Sequence, residues 1–528
     1  MKNSKFLKRL TSVATAAVVA CGIAGCDSKD KGKTAEGNGE IPKSVTIFAP
    51  MSGGAAKAGA KNRNEIQVYK IAEEATGCHI EWTNPTWAAA KEQFNLMIAS
   101  GEYPDLIQTT WNSVPGGSAK YVDDDVIVKI SDYEKYMPNF KKYIDANPEL
   151  KAQFANEDGS YEYIPCFRAD EELRVYLGPI IRQDWLDKLG LKMPETTDEL
   201  YEVLKAFKTK DPNGNGKADE IPFGGRGGDN NSYGIGNITS AFGVYHSYYI
   251  KNGKITYGMA EPEMKEALAY LRKLYSEGLI DADYLTQDED SFHSKIMNDR
   301  TGFAFGIQPS RYYATMNDGT RQIAGVPWIG GISHNPAYKE GIAGGQIAIT
   351  TSCKNPVGVA KWLDYFFSED GITAENFGIE GENYEVVDGK KTYISDFFEK
   401  NPSGKDRSDM FNTTVNIYNT DFPGLQLWDA YGQSLTSWGK SAIETWSKSA
   451  NFENALPCMK FTAEEQEVIS KKGADVVAYA SELFNGIIIG NRQLSELDSM
   501  KKELNKLGLK DVLDAYNSAY KRYLKVTK

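Results

Sequence analysis

The sequence predicts an α/β protein with at least two lobes, and three observations lead to this fold class. After residue 44, short apolar runs typical of strands alternate with amphipathic segments of helical spacing, which is the pattern of β-α-β units. Roughly 480 residues follow the N-terminal leader, and a chain of that length is too long for one hydrophobic core. The region after about Phe461 has an almost continuous helical pattern, so we expect the C-terminal part to be helical.

The first β-α-β units lie between Ser44 and Trp111. The segments with a strand pattern are SVTIFAP, HIEWTNP and PDLIQTTW, and the helical segments are KNRNEIQVYKIAEEATG and AAAKEQFNLMIASG. We expect the two helices to end at Gly77 and Gly101, because glycine readily adopts the left-handed backbone that closes a helix. Repeated β-α-β units with short links predict a mainly parallel sheet covered by helices.

A new unit begins after the run SYEYIPCF. We expect Thr197 to be the N-cap of its first long helix, since a threonine before an acidic first turn is a favourable N-cap. Further helices are predicted at EMKEALAYLRKLYSEGL, NPVGVAKWLDYFFSED, AEEQEVISKKGADVVAYASELFNG and SELDSMKKELNKLGLKDVLDAYNSAYKRYL. The sequence contains no internal repeat.

The N-terminus has the features of a secretory leader. Basic residues precede an apolar run over Val13–Ala24, which is shorter than the ~20 residues that span a bilayer. The small residues before Cys26 resemble the lipobox of bacterial lipoproteins, in which this cysteine carries the lipid (palmitate). An ordinary signal peptidase site beside an accidental cysteine is the alternative. We therefore predict a signal peptide over residues 1–25 and a polar, flexible tether over 26–44.

Composition excludes some partners and suggests others. The chain has 60 basic and 72 acidic residues, a net charge of −12, which argues against binding to nucleic acid or adhesion to anionic lipid. Aromatic residues make up 12% of the chain, with nine Trp and thirty Tyr. Because that is more than cores alone require, we expect some rings on the surface where a ligand could contact them.

Histidine and cysteine do not suggest a zinc site. The four histidines contain no HExxH or other paired spacing. Outside the leader, Cys78, Cys166, Cys353 and Cys458 are widely spaced, so we interpret them as buried small apolar residues. A disulfide is possible outside the cell, but the spacing does not determine a pairing.

Six motifs occur in an order that resembles a known family. They are ASGEYPDLI with Trp111 after it, SYEYIP before IIRQDWLDKLGLKMPETTDEL, DPNGNGKADEIP, TGFAFG before SRYY, GGQIAITTSCKNPVGVAKWLDYFF, and FGIEGENYEVVDGK. Together they resemble the extracellular solute-binding proteins of ABC importers, the group that includes oligosaccharide binders. Within it, the chain is most similar to LplA-like lipoproteins of Gram-positive bacteria and to alginate-binding proteins. The resemblance covers nearly all of the predicted mature chain.

This resemblance implies a two-lobed fold of the type II periplasmic-binding-protein class with a hinge between the lobes. It implies crossings near SYEYIP and between VPWIGG and GGQIA. The expected first lobe contains residues 45–168 and about 340–415, and the second contains 169–339 and about 416–528. A ligand that touches both lobes would close them by population shift. An ABC permease in the membrane would then recognise the closed form of the lipid-anchored, monomeric protein at the outer face of a Gram-positive cell.

The stretch DPNGNGKADEIP has the spacing of a calcium loop. The oxygen donors at loop positions 1, 3, 5, 7, 9 and 10 are Asp211, Asn213, Asn215, Lys217 through its backbone carbonyl, Asp219 and Glu220. All are hard ligands suited to Ca²⁺, and Gly216 stands where such a loop turns sharply. Position 12 is Pro222 instead of glutamate, so we expect Glu220 to take that role, as the resemblance to alginate-binding proteins implies. The alternative is an ion-free Asx turn.

A structural role for this calcium is more consistent with the sequence than a catalytic one. The loop connects a helix to the strand IPFGG and has no nearby histidine or evident nucleophile. A bound cation would neutralise its carboxylates and fix a long loop in one conformation.

Candidate ligand residues follow from the positions of loops after strands, because aromatic rings stack on sugar faces and polar groups bind sugar hydroxyls. The candidates are Trp82, Trp87, Trp111, Arg311, Tyr312, Trp328, Gln346, Trp428 and Tyr431. Trp428 and Tyr431 also occupy positions that resemble a sugar-stacking aromatic of the family. For each ring, packing in the core is the alternative.

Two other functions stay open at this point. A secreted polysaccharide-degrading enzyme would need two carboxylates placed across a sugar, and the sequence has no GxSxG or HExxH motif. We therefore expect no enzymatic activity. The same fold could also bind a peptide or another solute. The richness in aromatic residues favours a carbohydrate, and the net negative charge favours a neutral oligosaccharide.

Overall fold

A computed structural model of the chain describes residues 39–227, 233–313, 321–331, 341–395, 404–415, 422–449 and 452–527. All of these belong to one compact unit. The predicted signal peptide over 1–25, Cys26 and most of the tether over 26–44 lie outside the described residues. None of the described helices combines the length and the apolar character that crossing a membrane requires.

The first sheet has six strands. In spatial order they are Gly424–Gln426, Ile164–Arg168, Ile342–Ile349, Leu106–Thr109, Ser44–Phe48 and His79–Thr83. The last three pair in parallel, as the β-α-β pattern predicts. Ile342–Ile349 is antiparallel to both of its neighbours, so the sheet is mixed.

The helices between the parallel strands end where the sequence predicts. Gln67–Thr76 stops at Gly77, with φ 67°, and Ala90–Ser100 stops at Gly101, with φ 72°. Both glycines adopt the left-handed conformation that L side chains disfavour. These two stops set the short links that keep the strands parallel.

The second sheet has four strands and differs from the expectation of a mainly parallel sheet. In spatial order they are Ile323–Gly325, Leu177–Arg182, Thr301–Ile307 and Ile221–Gly224. Only the last pair is parallel, and the other two pairs are antiparallel. For one of these pairs the reason is that Leu177–Arg182 brings the chain into this sheet and its neighbour Ile323–Gly325 takes the chain out, so the two run in opposite directions.

Two hairpins complete the strands. Tyr248–Lys251 pairs with Lys254–Tyr257, and Tyr384–Val387 pairs with Lys390–Tyr393. The two-residue turns are Asn-Gly and Asp-Gly, with positive φ at both positions in each turn. That is the turn geometry whose twist matches paired antiparallel strands.

Helices cover both sheets and make up the C-terminal part. The α-helices are Gly53–Lys57, Gln67–Thr76, Ala90–Ser100, Gly117–Asp123, Pro138–Ala146, Pro148–Lys151, Gln183–Leu189, Thr197–Thr209, Met264–Ser276, Glu289–Met297, Ser310–Tyr313, Pro356–Asp364, Glu369–Phe377, Gly404–Thr414, Trp428–Ser434, Ser437–Ser449, Ala463–Val468, Ala474–Ile488, Leu497–Lys506 and Leu509–Val526. A π-helical turn at Ile469–Gly473 joins two of them. The predicted helical C-terminal part is confirmed.

Each sheet has its own hydrophobic core, and we name the lobes by these sheets. The first lobe packs around the six-stranded sheet, with Val45, Ile107 and Ile347 among its fully buried side chains. The second lobe packs around the four-stranded sheet, with Phe223 and Trp446 among its buried side chains. Two separate cores in one chain confirm the prediction of two lobes.

The chain crosses between the lobes at two neighbouring places. The strands before and after these crossings are neighbours in each sheet. Ile164–Arg168 leads to Leu177–Arg182, and Ile323–Gly325 leads back to Ile342–Ile349. These two crossings are the ones predicted near SYEYIP and between VPWIGG and GGQIA. A third crossing follows Gly424–Gln426, after which Tyr431 and Leu435 pack in the second core.

The N-cap of the first long second-lobe helix differs by one residue from the prediction. The Thr196 side chain accepts a hydrogen bond from the Glu199 backbone N–H, and the Glu199 carboxylate accepts one from the Thr196 backbone N–H. This reciprocal capping box requires an acidic residue three positions after the cap. Glu199 stands three positions after Thr196, so Thr197 is the first helical residue.

We expect Thr196→Ala to lower the free energy of unfolding by about 1 kcal/mol, because the Glu199 backbone N–H loses its side-chain acceptor. The matched control Thr197→Ala should change it by less than about 0.5 kcal/mol. Urea unfolding followed by circular dichroism measures both. Equal losses in the two variants would contradict the assigned cap.

Candidate ligand-binding edge and calcium loop

The carboxyl ends of the three parallel strands meet at one edge of the first sheet, which we call the carboxyl edge. Beyond the strands the backbone stays paired, since Ala49 N donates to Thr83 O at 3.0 Å and Met51 N to Pro85 O at 2.8 Å. Ile342–Ile349 runs the opposite way, with Gln346 opposite Thr109, so its first residues lie at the same edge. Loops at the carboxyl ends of strands are where α/β folds bind ligands.

A buried arginine fixes the backbone of this edge. Arg63 has no exposed surface, and its guanidinium donates to Pro50 O at 2.7 and 3.3 Å, to Tyr69 Oη at 2.7 Å and to Gln108 Oε1 at 3.3 Å. Trp82 stacks on it at 5.5 Å. Trp82 is half-buried, and its ring packs on the arginine that holds this edge.

Asn112 is a polar junction that the sequence interpretation missed. Its backbone N–H donates to Gln346 Oε1 at 3.2 Å, its amide nitrogen approaches Cys458 Sγ at 3.4 Å, and Tyr163 Oη donates to its Oδ1. Gln346 is almost fully buried, so it holds Asn112 and has little surface for a ligand. The sequence signal that could have identified Asn112 is its position directly after Trp111, in the loop that follows the strand.

Two tryptophan candidates at this edge differ completely in exposure. Trp111 has no exposed surface, donates from Nε1 to Ile107 O at 3.4 Å and lies 5.5 Å from the Tyr121 ring. The structure therefore does not show the exposed stacking ring that the sequence suggested at Trp111. Trp87, four residues beyond Thr83, is 69% exposed, which is exceptional for so large an apolar ring.

The second-lobe candidates mostly pack in the core. Tyr312 is fully buried, with its ring 5.6 Å from His293. Trp328 is nearly buried, 5.8 Å from Phe305. Neither ring is available in this structure for the stacking role that the sequence suggested. Arg311 lies on the helix Ser310–Tyr313.

Trp428 and Tyr431 lie together beside a crossing. Their rings are 6.2 Å apart, and the Trp428 backbone N–H donates to Asp170 Oδ2 at 2.6 Å. Gln308 Nε2 donates to Tyr431 Oη at 3.4 Å, which links this pair to the strand before Ser310. Trp428 is only partly buried, so it keeps some surface for a sugar, and Trp87 is exposed.

A buried ion pair joins the first lobe to the chain segment around Lys460. Lys460 pairs with Glu162, which is 1% exposed, and also donates to Phe154 O at 3.3 Å. Ser118 Oγ and Asn156 Nδ2 complete the bonds to the Glu162 carboxylate at 3.0 and 2.7 Å. Burial lowers the pKa of Lys460, and the Glu162 carboxylate opposes that shift.

The chain next to Lys460 packs on the second lobe. Met459 is buried against Ile250, Ile255 and Ala519, whereas Cys458 and Lys460 face first-lobe groups. We call residues 458–460 the seam.

The predicted calcium loop is ordered by side-chain bonds to its own backbone. Asp211 accepts from the Asn215 and Gly216 N–H groups at 3.1 Å each, and Asn215 Oδ1 accepts from Lys217 N at 2.8 Å. The amides of Asn213 and Asn215 both donate to Asp219 Oδ1, at 3.4 and 3.0 Å. These bonds bring the side chains of Asp211, Asn213, Asn215 and Asp219 close together within the loop.

Glu220 tests whether these residues fit a cation. Its Oε1 is buried and has no hydrogen-bond donor among the described residues. Burial raises the pKa of Glu220, and the nearby Asp211 and Asp219 carboxylates raise it further. A carboxylate oxygen without a donor beside two other carboxylates is suited to a hard cation. No three His, Cys, Asp or Glu side chains of the described residues form a metal cluster, so asparagine and backbone oxygens would have to contribute.

Comparison with known proteins finds relatives that are named as sugar-binding transport proteins. It is 29% identical over 504 residues to the fructooligosaccharide ABC transporter substrate-binding protein FusA of Streptococcus pneumoniae serotype 4, covering 91% of this chain and 90% of FusA. The structure of FusA in complex with kestose matches with a TM-score of 0.73 at 26% identity, covering 91% of this chain and 99% of that one. A FusA EF-hand mutant in complex with fructo-nystose gives the same TM-score and coverage.

Two further relatives are similar to most of this chain. The alginate-binding protein AlgQ2 without calcium ion has a TM-score of 0.69 at 25% identity, covering 90% of this chain and 98% of AlgQ2. Lipoprotein LipO of Bacillus subtilis is 28% identical over 386 residues, covering 70% of this chain and 73% of LipO. The model of the bacterial extracellular solute-binding proteins matches residues 54–373, which is more than half of the chain. With its two lobes and paired crossings, the chain therefore belongs to the bacterial extracellular solute-binding protein family.

Proposed function

We propose that this protein is the substrate-binding subunit of an ABC importer and binds a neutral oligosaccharide between its lobes. The observation that carries the proposal is its likeness to fructooligosaccharide-binding FusA over 91% of the chain. The lobes close by rotation about the neighbouring crossing strands. A ligand that contacts both lobes stabilises the closed form by its differential affinity for that form, and the permease receives the sugar from it.

The positions of exposed Trp87 and partly buried Trp428 support a carbohydrate. Trp87 lies at the carboxyl edge of the first sheet, and Trp428 lies beside a crossing. Aromatic faces stack on the C–H faces of sugars. We find no observation that favours an enzyme, and the family to which the chain belongs consists of solute-binding proteins.

We also propose a lipid anchor on Cys26 and a monomeric protein at the outer face of a Gram-positive cell membrane. The lipobox-like sequence before Cys26 supports the anchor, and the relative LipO is a lipoprotein. The proposed lobe boundaries are residues 45–168 with about 340–415, and 169–339 with about 416–528. Gly424–Gln426, which pairs in the first sheet, is an exception within the last range.

A thermal-shift screen of residues 27–528 tests the main proposal. The probes are kestose as a neutral oligosaccharide, an alginate oligosaccharide as a polyanion, a monosaccharide and a hexapeptide. A ligand at a hundredfold excess over its Kd stabilises the folded state by about 2.7 kcal/mol. We therefore expect a neutral oligosaccharide to raise the Tm clearly. The oligosaccharide itself should keep its length, because the protein does not break it down. A shift only with the peptide, or breakdown of the sugar, would overturn the assignment.

A pair of tryptophan substitutions separates ligand binding from packing. We expect Trp87→Ala to raise the Kd for the oligosaccharide about tenfold, roughly 1.4 kcal/mol, while stability changes by less than about 0.5 kcal/mol. Trp111→Ala should lower the free energy of unfolding by about 3–5 kcal/mol, because it empties a buried site. Isothermal titration calorimetry and urea unfolding measure the two effects. An unchanged Kd in Trp87→Ala would remove Trp87 from the site.

For the loop at 211–220 we propose a structural Ca²⁺, held by Asp211, Asn213, Asn215, the Lys217 carbonyl, Asp219 and Glu220. The orphaned Glu220 oxygen supports this, and related proteins have been studied as an EF-hand mutant and without calcium ion. When bound, the ion would neutralise the loop carboxylates. The residues themselves hold the loop against Asp299, whose backbone oxygen accepts from Asn213 Nδ2 at 3.2 Å.

The calcium proposal predicts a reversal of stability in Glu220→Gln. Because the folded state raises the Glu220 pKa, the ionised carboxylate is unfavourable in the ion-free protein at neutral pH. We therefore expect EDTA-treated Glu220→Gln to melt above EDTA-treated wild type, and wild type to melt above the variant once millimolar Ca²⁺ is added. The control is Glu202→Gln, on an exposed carboxylate of the preceding helix, which should preserve the wild-type response. A calcium response of equal size in Glu220→Gln would contradict the site.

A further inference from the structure

Gly344 is the exposed position of an otherwise buried strand. In Ile342–Ile349 every residue is buried except Gly344. The strand lies in the middle of the six-stranded sheet, and Gly344 is near its start, at the carboxyl edge described above. A surface therefore opens at this one point of a central strand, next to the loops that follow the parallel strands.

The protein's own structure does not require a glycine there. The backbone of Gly344 is outside the left-handed region, and an added Cβ would meet only Thr110 Oγ1, at 3.9 Å, an ordinary van der Waals distance. Glycine in a strand costs stability relative to alanine where the conformation suits both. In contrast, Gly178 and Gly325 could not accept a Cβ, because it would lie 2.4 Å from the Trp446 ring at Gly178 and 2.6 Å from the Ala442 Cα at Gly325.

The strand is also irregular at this glycine. Ala343 pairs with Cys166 and Ile347 with Ile164, so the register shifts between them. On the other side, pairing with the neighbouring strand begins only at Gln346. Gly344 and Gly345 therefore stand opposite no partner residue on either described neighbour. Bulges often occur next to binding sites, and a bare backbone there can approach a ligand closely.

Gly53 shows the same property at the same edge. It follows the strand Ser44–Phe48, is exposed, has no left-handed backbone, and an added Cβ would meet nothing within 4 Å. Two positions at one edge thus lack a side chain without any steric or conformational need for its absence.

We propose that Gly344 is a ligand-contact position at which a sugar ring lies directly on the backbone of the bulge. The Thr110 hydroxyl and the backbone groups of Gly344 and Gly345 are placed to bind the hydroxyls of that ring. A methyl group at residue 344 would occupy the space of the ring and would displace it. This inference rests on the proposed oligosaccharide binding and names a contact within that site.

The test compares Gly344→Ala with wild type and with Gly473→Ala in the 27–528 protein. Gly473 lies on a C-terminal helical segment, and an added Cβ there would meet side chains at 3.8 and 3.9 Å, so it matches Gly344 in tolerance but lies away from the carboxyl edge. Tm without ligand and Kd by calorimetry are measured for all three. The probe is kestose, or the alginate oligosaccharide if only that one shifts the wild type.

We expect Gly344→Ala to keep or raise the Tm without ligand and to raise the Kd by about 10- to 200-fold, the usual effect of one methyl group in a binding pocket. Gly473→Ala should leave the Kd unchanged. An unaltered Kd in Gly344→Ala, or a lower Tm, would overturn the contact while leaving the proposed function intact. If neither probe binds the wild type, the proposed function fails and this inference fails with it.

Discussion

The organisation of this protein depends on two chain segments that cross between the lobes. The strands that flank these segments are neighbours in both sheets. Ile164–Arg168 lies beside Ile342–Ile349 in one sheet, and their continuations, Leu177–Arg182 and Ile323–Gly325, lie side by side in the other. Backbone hydrogen bonds fix each pair, so the two segments connect the lobes side by side. The same pairing makes Leu177–Arg182 antiparallel to Ile323–Gly325 and places the first residues of Ile342–Ile349 at the carboxyl edge.

Local features of the fold could be predicted because neighbouring residues determine them. Gly77 and Gly101 stop their helices through their own backbone freedom, and a capping box is readable once the acidic residue is counted from Thr196 instead of Thr197. Strand direction in the second sheet could not be predicted. It depends on pairing between Leu177–Arg182 and Thr301–Ile307, which are more than a hundred residues apart, and no local pattern records that contact.

In the candidate site, too, some features could be predicted from the sequence and others could not. A tryptophan after a strand can be found in the sequence, but its exposure depends on what covers it. Trp111 is covered by Phe94 and Tyr121 from separate helices, while Trp87 is left open. Asn112 and Gly344 were missed for a related reason. Asn112 matters because groups from distant parts of the chain meet at it, and Gly344 matters because it has no side chain. Neither property is visible in a single chain segment.

The seam at residues 458–460 has a consequence for how the protein is made. Glu162, buried in the first lobe, pairs with Lys460, and the first sheet also takes a strand from Gly424–Gln426. A buried carboxylate without its partner is strongly unfavourable. We therefore expect the first lobe to reach its final structure only after the chain has been synthesised through Lys460.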